Sequence, residues 1–450
     1  MAYSTIDKST AHFNNILHSG NGGTQSITGV GFRPDLTWIK DRTGGNDHQL
    51  VDAVRGATVA VSSNRTDELT FTDGLTSFDS DGYSLGSNTR YNGSGSNYVG
   101  WNWLAGGTAP AITYVVKVVS DSGNKYRFDD FGTSAVTLDL QEGGTYTFDQ
   151  ADSSNSGHPL RFYTASDKSG GEYTTGVTTT GTPGSSGAKT VITVASGAPT
   201  LYYQCSSHAG MGGQANTNSL FGSSNFKGTI QSKVSANDTA GFSIIRYTGN
   251  GSGSQTIGHG LSSTPSVTFR RNLDNTLDWF AHTNAYDGTF DYFKLNATSA
   301  KSDSGLTAFT ATTAGVDGNT DDYIVYCFAE KTGYSKFGSY VGNNNQDGPF
   351  IYTGFKPAFV LFKRGSDTEN WSLYDNKRAN AYNPTAYGLR PNISNNESAY
   401  GAGGSAGGID ILSNGFKIRE GGTNINDGTY LYMAFGQTIV GSNNIPATAR

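Results

Sequence analysis

Three stretches of the chain repeat one another, and this repeat limits the fold more than any other feature. From Phe13 the sequence runs FNNILHSGNGGTQSITGVGFRPDLTWIKDR, and from Phe242 it runs FSIIRYTGNGSGSQTIGHGLSSTPSVTFRRN. A third copy from Phe337, FGSYVGNNNQDGPFIYTGFKPAFVLFKRG, is shorter at its start and rejoins the first at Gly-Phe-x-Pro. After the proline each copy alternates apolar and polar residues towards a basic end. Leu36 and Trp38 lead to Lys40, Val267 and Phe269 to Arg271, and Phe359 and Leu361 to Lys363. Period-two alternation marks half-buried strands. Each copy closes on an aromatic strand, YVGWNW at Tyr98, YIVYCF at Tyr323 and YLYMAF at Tyr430. The first and third also share an Asp-Gly or Asn-Gly hairpin signal, SDGYSL and SNGFKI. The second has no clear equivalent.

Composition agrees with a β reading. The chain has 450 residues, 61 Gly but 11 Pro, 12% aromatic and 15% charged residues. So little charge with so much Gly suits short strands joined by tight turns rather than surface helices or a disordered polyelectrolyte. The predicted fold is all-β, with tandem β-sandwich or jelly-roll modules at residues 1–108, 235–332 and 333–450. Residues 109–234 do not fit the repeat and form an inserted domain between Gly-rich flanks. The formal charge is −6 and no Lys/Arg run occurs, which argues against nucleic acid as the main ligand. No secretion signal and no apolar span of membrane length is visible, so membrane insertion is not expected. Two cysteines, Cys205 and Cys327, do not make a disulfide framework. Cys327 lies in a closing aromatic strand and reads as a core residue. Trp101 and Trp103, two apart in another, face one side and also read as core.

The insert carries the one stretch with metal chemistry, YYQCSSHAGMGG at Tyr202–Gly213. A mononuclear copper site takes two imidazoles, a thiolate and a weak thioether. Cys205, His208 and Met211 supply three of these at C-x2-H-x2-M spacing, and His158 in NSGHPLRFYT, just before an alternating strand, supplies the second imidazole. These residues resemble the cupredoxin family, with loop spacing most similar to the amicyanin type, over roughly residues 112–234. The resemblance implies a Greek-key sandwich and copper as cofactor. One departure is that GGQANTNSLFGSSNF stands between the methionine and the expected closing strand KGTIQSKV. Zinc is a lesser alternative, since a thioether is a poor zinc ligand. A sandwich kept for its shape, with the loop packed closed and no metal, is the other.

No motif with catalytic mechanics is present, so no enzymatic activity is expected. His12, His18, His48, His259 and His282 read as surface or turn residues. The GNGG and GNGSGSQ segments read as hairpin turns, not phosphate loops. FDSDGYS and DGNTDD could hold calcium through oxygen ligands, and turn acidity explains them equally well.

The first copy together with the insert resembles a domain recurring in structural proteins of marine tailed bacteriophages, of cyanophage and pelagiphage type. That resemblance implies a virion protein assembled in the host cytoplasm. Its first expected role is a surface tail fibre or spike contributing to host attachment, with a glycan or outer-membrane receptor. A capsid decoration or adaptor with a mechanical role is the alternative, and a copper redox protein the second alternative. The implied partners are other virion proteins and further copies of the chain, with a trimer as the expected homo-oligomer.

Overall fold

The computed structural model describes residues 6, 8–218, 220–378, 383–399 and 407–437. The outer ends of the first and last expected modules lie outside these residues. The chain is an all-β protein of several small sheets, with one four-residue helix, Thr89–Asn92, among the described residues. No helix there is long and apolar enough to cross a membrane.

The repeat is visible as a repeated strand order. In the first module strand Phe13–Ser19 pairs with the closing strand Asn97–Trp103, which pairs with Leu36–Asp41, then Gln49–Asp52. The second module repeats this with Phe242–Thr248, Asp322–Phe328, Val267–Asn272 and Phe280–Thr283. The third repeats it with Ser335–Val341, Thr429–Gly436, Pro357–Arg364 and Ser372–Asp375. A small second sheet faces each. It has three strands in the first and third modules and two in the second, Gln255–Gly258 and Thr313–Val316. The missing strand accounts for the hairpin signal that the second copy lacks.

Register fixes which residues are equivalent. Leu36, Val267 and Phe359 lie opposite Trp103, Phe328 and Phe435. Phe13 and Phe242 lie opposite Trp103 and Phe328, whereas in the third module Ser335 lies opposite Phe435 and Phe337 opposite Met433. The sequence match that starts the third copy at Phe337 is therefore two residues out of step. The structure corrects it: a two-residue slip keeps the same side chains facing inward, so alternation alone cannot detect it. One stacked ring pair recurs in each module, His18 on Tyr98, Tyr247 on Tyr323 and Tyr340 on Tyr430, with centroids 4.9, 5.0 and 5.3 Å apart.

The three modules share one core. Phe13, Trp38, Trp101 and Trp103 of the first, Phe242, Phe269, Trp279 and Phe328 of the second, and Phe359, Leu361, Trp371 and Phe435 of the third belong to a single apolar cluster. Trp101 and Trp103 are fully inside it, as the large apolar residues at the equivalent positions of the other copies suggested. Polar contacts run around this core in one direction. The residue preceding the fourth strand donates to the neighbouring module each time. His48 Nε2 donates to the Arg390 carbonyl at 3.2 Å, Trp279 Nε1 to the Ser62 carbonyl at 2.9 Å, and Trp371 Nε1 to the Lys294 carbonyl at 2.9 Å. First to third, second to first and third to second: the contacts close a ring within one chain.

The basic strand ends are interior caps. Lys40 Nζ donates to the carbonyls of Asp41, Gly44 and Ser394, and Lys363 Nζ to those of Arg364, Glu369 and Thr298. Arg271 caps the carbonyls of Asn275 and Leu277. Burial lowers both lysines to about 8 and Arg271 to about 10.

The insert is built from a five-stranded and a four-stranded sheet around its own core, which includes Tyr114, Phe128, Phe148, Phe162 and Tyr203. Its closing strand is Gln214–Asn218, three residues beyond Met211, paired parallel with Leu138–Gln141. The expected closing segment KGTIQSKV runs instead into Ser232–Asn237, which together with Ser223–Asn225 extends the second module's sheet to eight strands.

Candidate metal centre

Cys205 ends the strand Leu201–Cys205 and lies opposite Leu160 of the strand Leu160–Tyr163. That register brings His158, two residues before Leu160, to the same end of the sheet. The His158 carbonyl accepts from Tyr126 Oη at 2.8 Å and from Gln150 Nε2 at 2.9 Å, and its N–H donates to the Asn155 carbonyl. The ring is therefore presented from a backbone fixed on both sides.

After Cys205 the chain turns back sharply. The Ser206 N–H donates to the Pro159 carbonyl at 3.0 Å, and Lys168 Nζ binds the Cys205 and Ser206 carbonyls. The Met211 carbonyl accepts from the Tyr126 N–H at 2.8 Å, and Lys125 Nζ donates to the Gly210 carbonyl. Gly212 lies so close to the strand that a Cβ there would sit 1.6 Å from the Tyr203 carbonyl oxygen. No larger residue fits this position, which explains the first glycine of Met-Gly-Gly.

The result is a convergent donor set. Cys205 Sγ lies 3.5 Å from His208 Nδ1 and 3.9 Å from His158 Nδ1, and the three donor atoms lie within 4.8 Å of one another. A metal about 2.3 Å from sulfur and about 2.0 Å from each nitrogen would set S···N separations of about 3.5–3.7 Å at tetrahedral to trigonal angles. The residues present therefore fit a thiolate–imidazole metal site. Cys205 is buried, His158 half-buried and His208 exposed. His158 is held below the usual histidine range by burial and by the nearby His208, which favours the neutral, ligating imidazole. Its Nε2 faces the Asn124 amide at 3.5 Å, an outer contact of the kind that orients a ligand ring. Met211 is buried in the same apolar cluster as Cys205. Among the described residues this is the single group of three or more His, Cys, Asp or Glu side chains placed to hold an ion.

The supporting residues Tyr126, Gln150, Lys125 and Lys168 carry no local signal in the sequence, because they act through backbone carbonyls distant in the chain. The other histidines are not surface or turn residues as a class. His48, His259 and His282 are almost wholly buried, and burial keeps each below the usual histidine range. They fill interior positions of the modules, where the ring serves as an aromatic core residue with a polar edge. The acidic turns are occupied by protein donors. Asp81 accepts from the Gly29 and Gly31 N–H groups, Asp317 pairs with Arg270 at 2.6 Å, and Asp321 accepts from Asn272, Asn275 and Asn319. In the GNGG turn the buried Asn92 amide donates to Asn21 Oδ1 and to the Gly23 and Gly86 carbonyls, so the turn is filled from within.

A family profile described as Domain of unknown function (DUF7483) matches residues 8–134 and 215–438. The chain belongs to that family. The matched segments cover the strands of the three-module ring, and His158, Cys205, His208 and Met211 all lie in the stretch between them. No curated protein and no solved structure matches the chain.

Proposed function

We propose that the insert is a cupredoxin-like sandwich in which His158, Cys205, His208 and Met211 bind one copper ion, displayed on a ring of three β modules. The observation that carries this reading is the meeting of Cys205 Sγ with two Nδ1 atoms, one from a turn 47 residues away in the chain. Two imidazoles and a thiolate, with a buried thioether in the same loop, suit copper better than zinc or a hard cation. Copper bound there would supply a one-electron redox couple. The chain's own residues do the rest. Tyr126 and Gln150 hold the His158 backbone, Lys168 ties down the carbonyl of Cys205, and burial of the thiolate side limits water access.

Titration of the metal-free protein with Cu(II), followed by visible absorption, tests this. One equivalent of tightly bound copper with an intense thiolate-to-copper band is expected. Cys205→Ser should lose the band, and Met211→Leu should keep the stoichiometry while shifting the spectrum. Uptake of zinc without a copper band would replace copper by zinc, and no stoichiometric uptake of either would remove the metal reading.

A second reading concerns the ring. Three modules fused around one core, with their direction-specific contacts satisfied inside a single chain, support a mechanical role as a virion decoration or adaptor, in line with the resemblance to marine phage structural proteins. Labelled electron microscopy of particles tests it. Label on the capsid lattice supports this reading, label on the tail supports host attachment instead, and label on neither overturns both.

A further inference from the structure

The ring provides an internal control, because equivalent positions occur three times: they face solvent in the first and third modules, and in the second they are covered by residues 228–230. The first strand of the small sheet holds its buried isoleucine at Ile27, Ile257 and Ile351. On either side of that isoleucine the first module has Ser26 and Thr28, the second Thr256 and Gly258, and the third Phe350 and Tyr352. Phe350 is 45% exposed and Tyr352 61%. Two rings two residues apart on a strand project from the same face, about 7 Å apart.

The surroundings accommodate the rings. Tyr352 lies opposite Gly415 and Phe350 opposite Lys417. A Cβ on Gly415 would come within 3.0 Å of the Phe350 ring. The same Cβ would meet the Ile351 carbonyl oxygen at 2.1 Å, as one on Gly82 would meet that of Ile27 at 1.9 Å, so the hairpin itself requires the glycine, and the Phe350 ring lies over the space it leaves. At its other side Tyr352 walls a cleft of about 220 Å³, also lined by Glu330, Lys336 and Thr353. The flanking charges balance: Glu330 pairs with Lys336 at 2.7 Å, Lys417 with Asp347 at 2.7 Å, and Arg419 with Asp410 at 3.4 Å. In the first module the same face carries hydroxyls, with Ser26 Oγ 3.2 Å from Ser84 Oγ.

We propose that Phe350 and Tyr352 form a binding platform for a neutral glycan. A pyranose ring offers an apolar C–H face, which stacks on an aromatic ring, and a rim of hydroxyls. Glu330, Lys336 and Lys417 are placed beside the rings to accept from and donate to such hydroxyls. Three cations matched by three anions give no net attraction for a polyanion, so nucleic acid and anionic lipid are disfavoured. The edge strand Phe350–Tyr352 is only three residues long, too short a template for strand addition by a protein partner. The site does not depend on the metal centre.

The test is electrophoresis of the full-length protein in native gels cast with hydroxyethylcellulose, laminarin, glycogen or galactomannan. Retardation by at least one is expected. A Phe350→Ser/Tyr352→Thr double variant should weaken it at least about tenfold. This variant installs residues that the first module already carries at the same positions, so it should fold, which unchanged circular dichroism and mobility in plain gels would verify. The proposal is overturned if none of the four retards the wild-type protein, if the double variant is retarded equally, or if heparin is bound in preference to them.

Discussion

Trp101 of the first module donates its indole N–H to the buried carboxylate of Asp375 in the third, at 3.0 Å. The equivalent pair between the second and first modules is Tyr326 Oη to Asp52, at 2.9 Å. Each aspartate is also bound by the arginine three residues on, Arg378 or Arg55, at 2.6 Å. At the third junction both partners have changed together. Thr283 stands at the aspartate position and Met433 at the donor position. At this position a buried carboxylate is kept only where the neighbouring module supplies a donor, as desolvation requires.

Trp101→Phe should therefore cost about 1.5–3 kcal/mol, the range for a hydrogen bond to a charged group. Thr283→Asp should cost at least about 3 kcal/mol, because it buries a charge facing Met433. Urea unfolding of the two variants checks both values, and a neutral Thr283→Asp would contradict the ring assignment.

Because the three modules share one cluster, they should unfold together. Far-ultraviolet circular dichroism and tryptophan fluorescence should report one coincident transition for the ring. The insert has its own core and no tryptophan, so its transition is free to separate. A metal at about 100 times its Kd would raise the stability of the insert by about 2.7 kcal/mol. A shift of the ring transition alone would contradict this.

Glu420 is buried, one carboxylate oxygen has no hydrogen-bond partner, and burial raises its pKa to about 7. The folded state thus takes up a proton that the unfolded chain has lost between about pH 4.5 and 7. Its contribution is fully present below the ordinary glutamate value and is lost as pH rises through about 7. Glu420→Gln should be more stable than wild type at pH 8, by about 2–3 kcal/mol, and should flatten stability between pH 4.5 and 7. Urea midpoints measured across this range check the sign.

Cys327 is fully buried and its thiol is pushed up to about 12. Iodoacetamide at pH 8 should leave it unmodified in the folded protein, and peptide mapping by mass spectrometry reads this directly. Copper should protect Cys205 from whatever alkylation the metal-free protein shows.

The repeat, the basic strand ends and the cluster of His158, Cys205 and His208 were legible in the sequence. Each rests on local spacing or on residue types with few alternative uses. The shared core was not. Trp38 and Phe269 read as the inner face of a single module, and nothing local says that this face meets two other modules. The two-residue slip at Phe337 was hidden for the same reason, since both registers bury the same face. His48 escaped because it takes the place of a tryptophan, as comparison with Trp279 and Trp371 shows. The closing strand of the insert was misplaced because Gln214–Asn218 is largely polar, and its place between Leu138–Gln141 and Leu201–Cys205 comes from backbone pairing on both sides rather than from apolar alternation.

X-ray absorption at the copper edge, on the full chain loaded with one equivalent, tests the central claim most directly. One sulfur at short distance and two imidazole nitrogens are expected around the copper, with the sulfur lost in Cys205→Ser. A shell of oxygen and nitrogen only, unchanged in that variant, would contradict it.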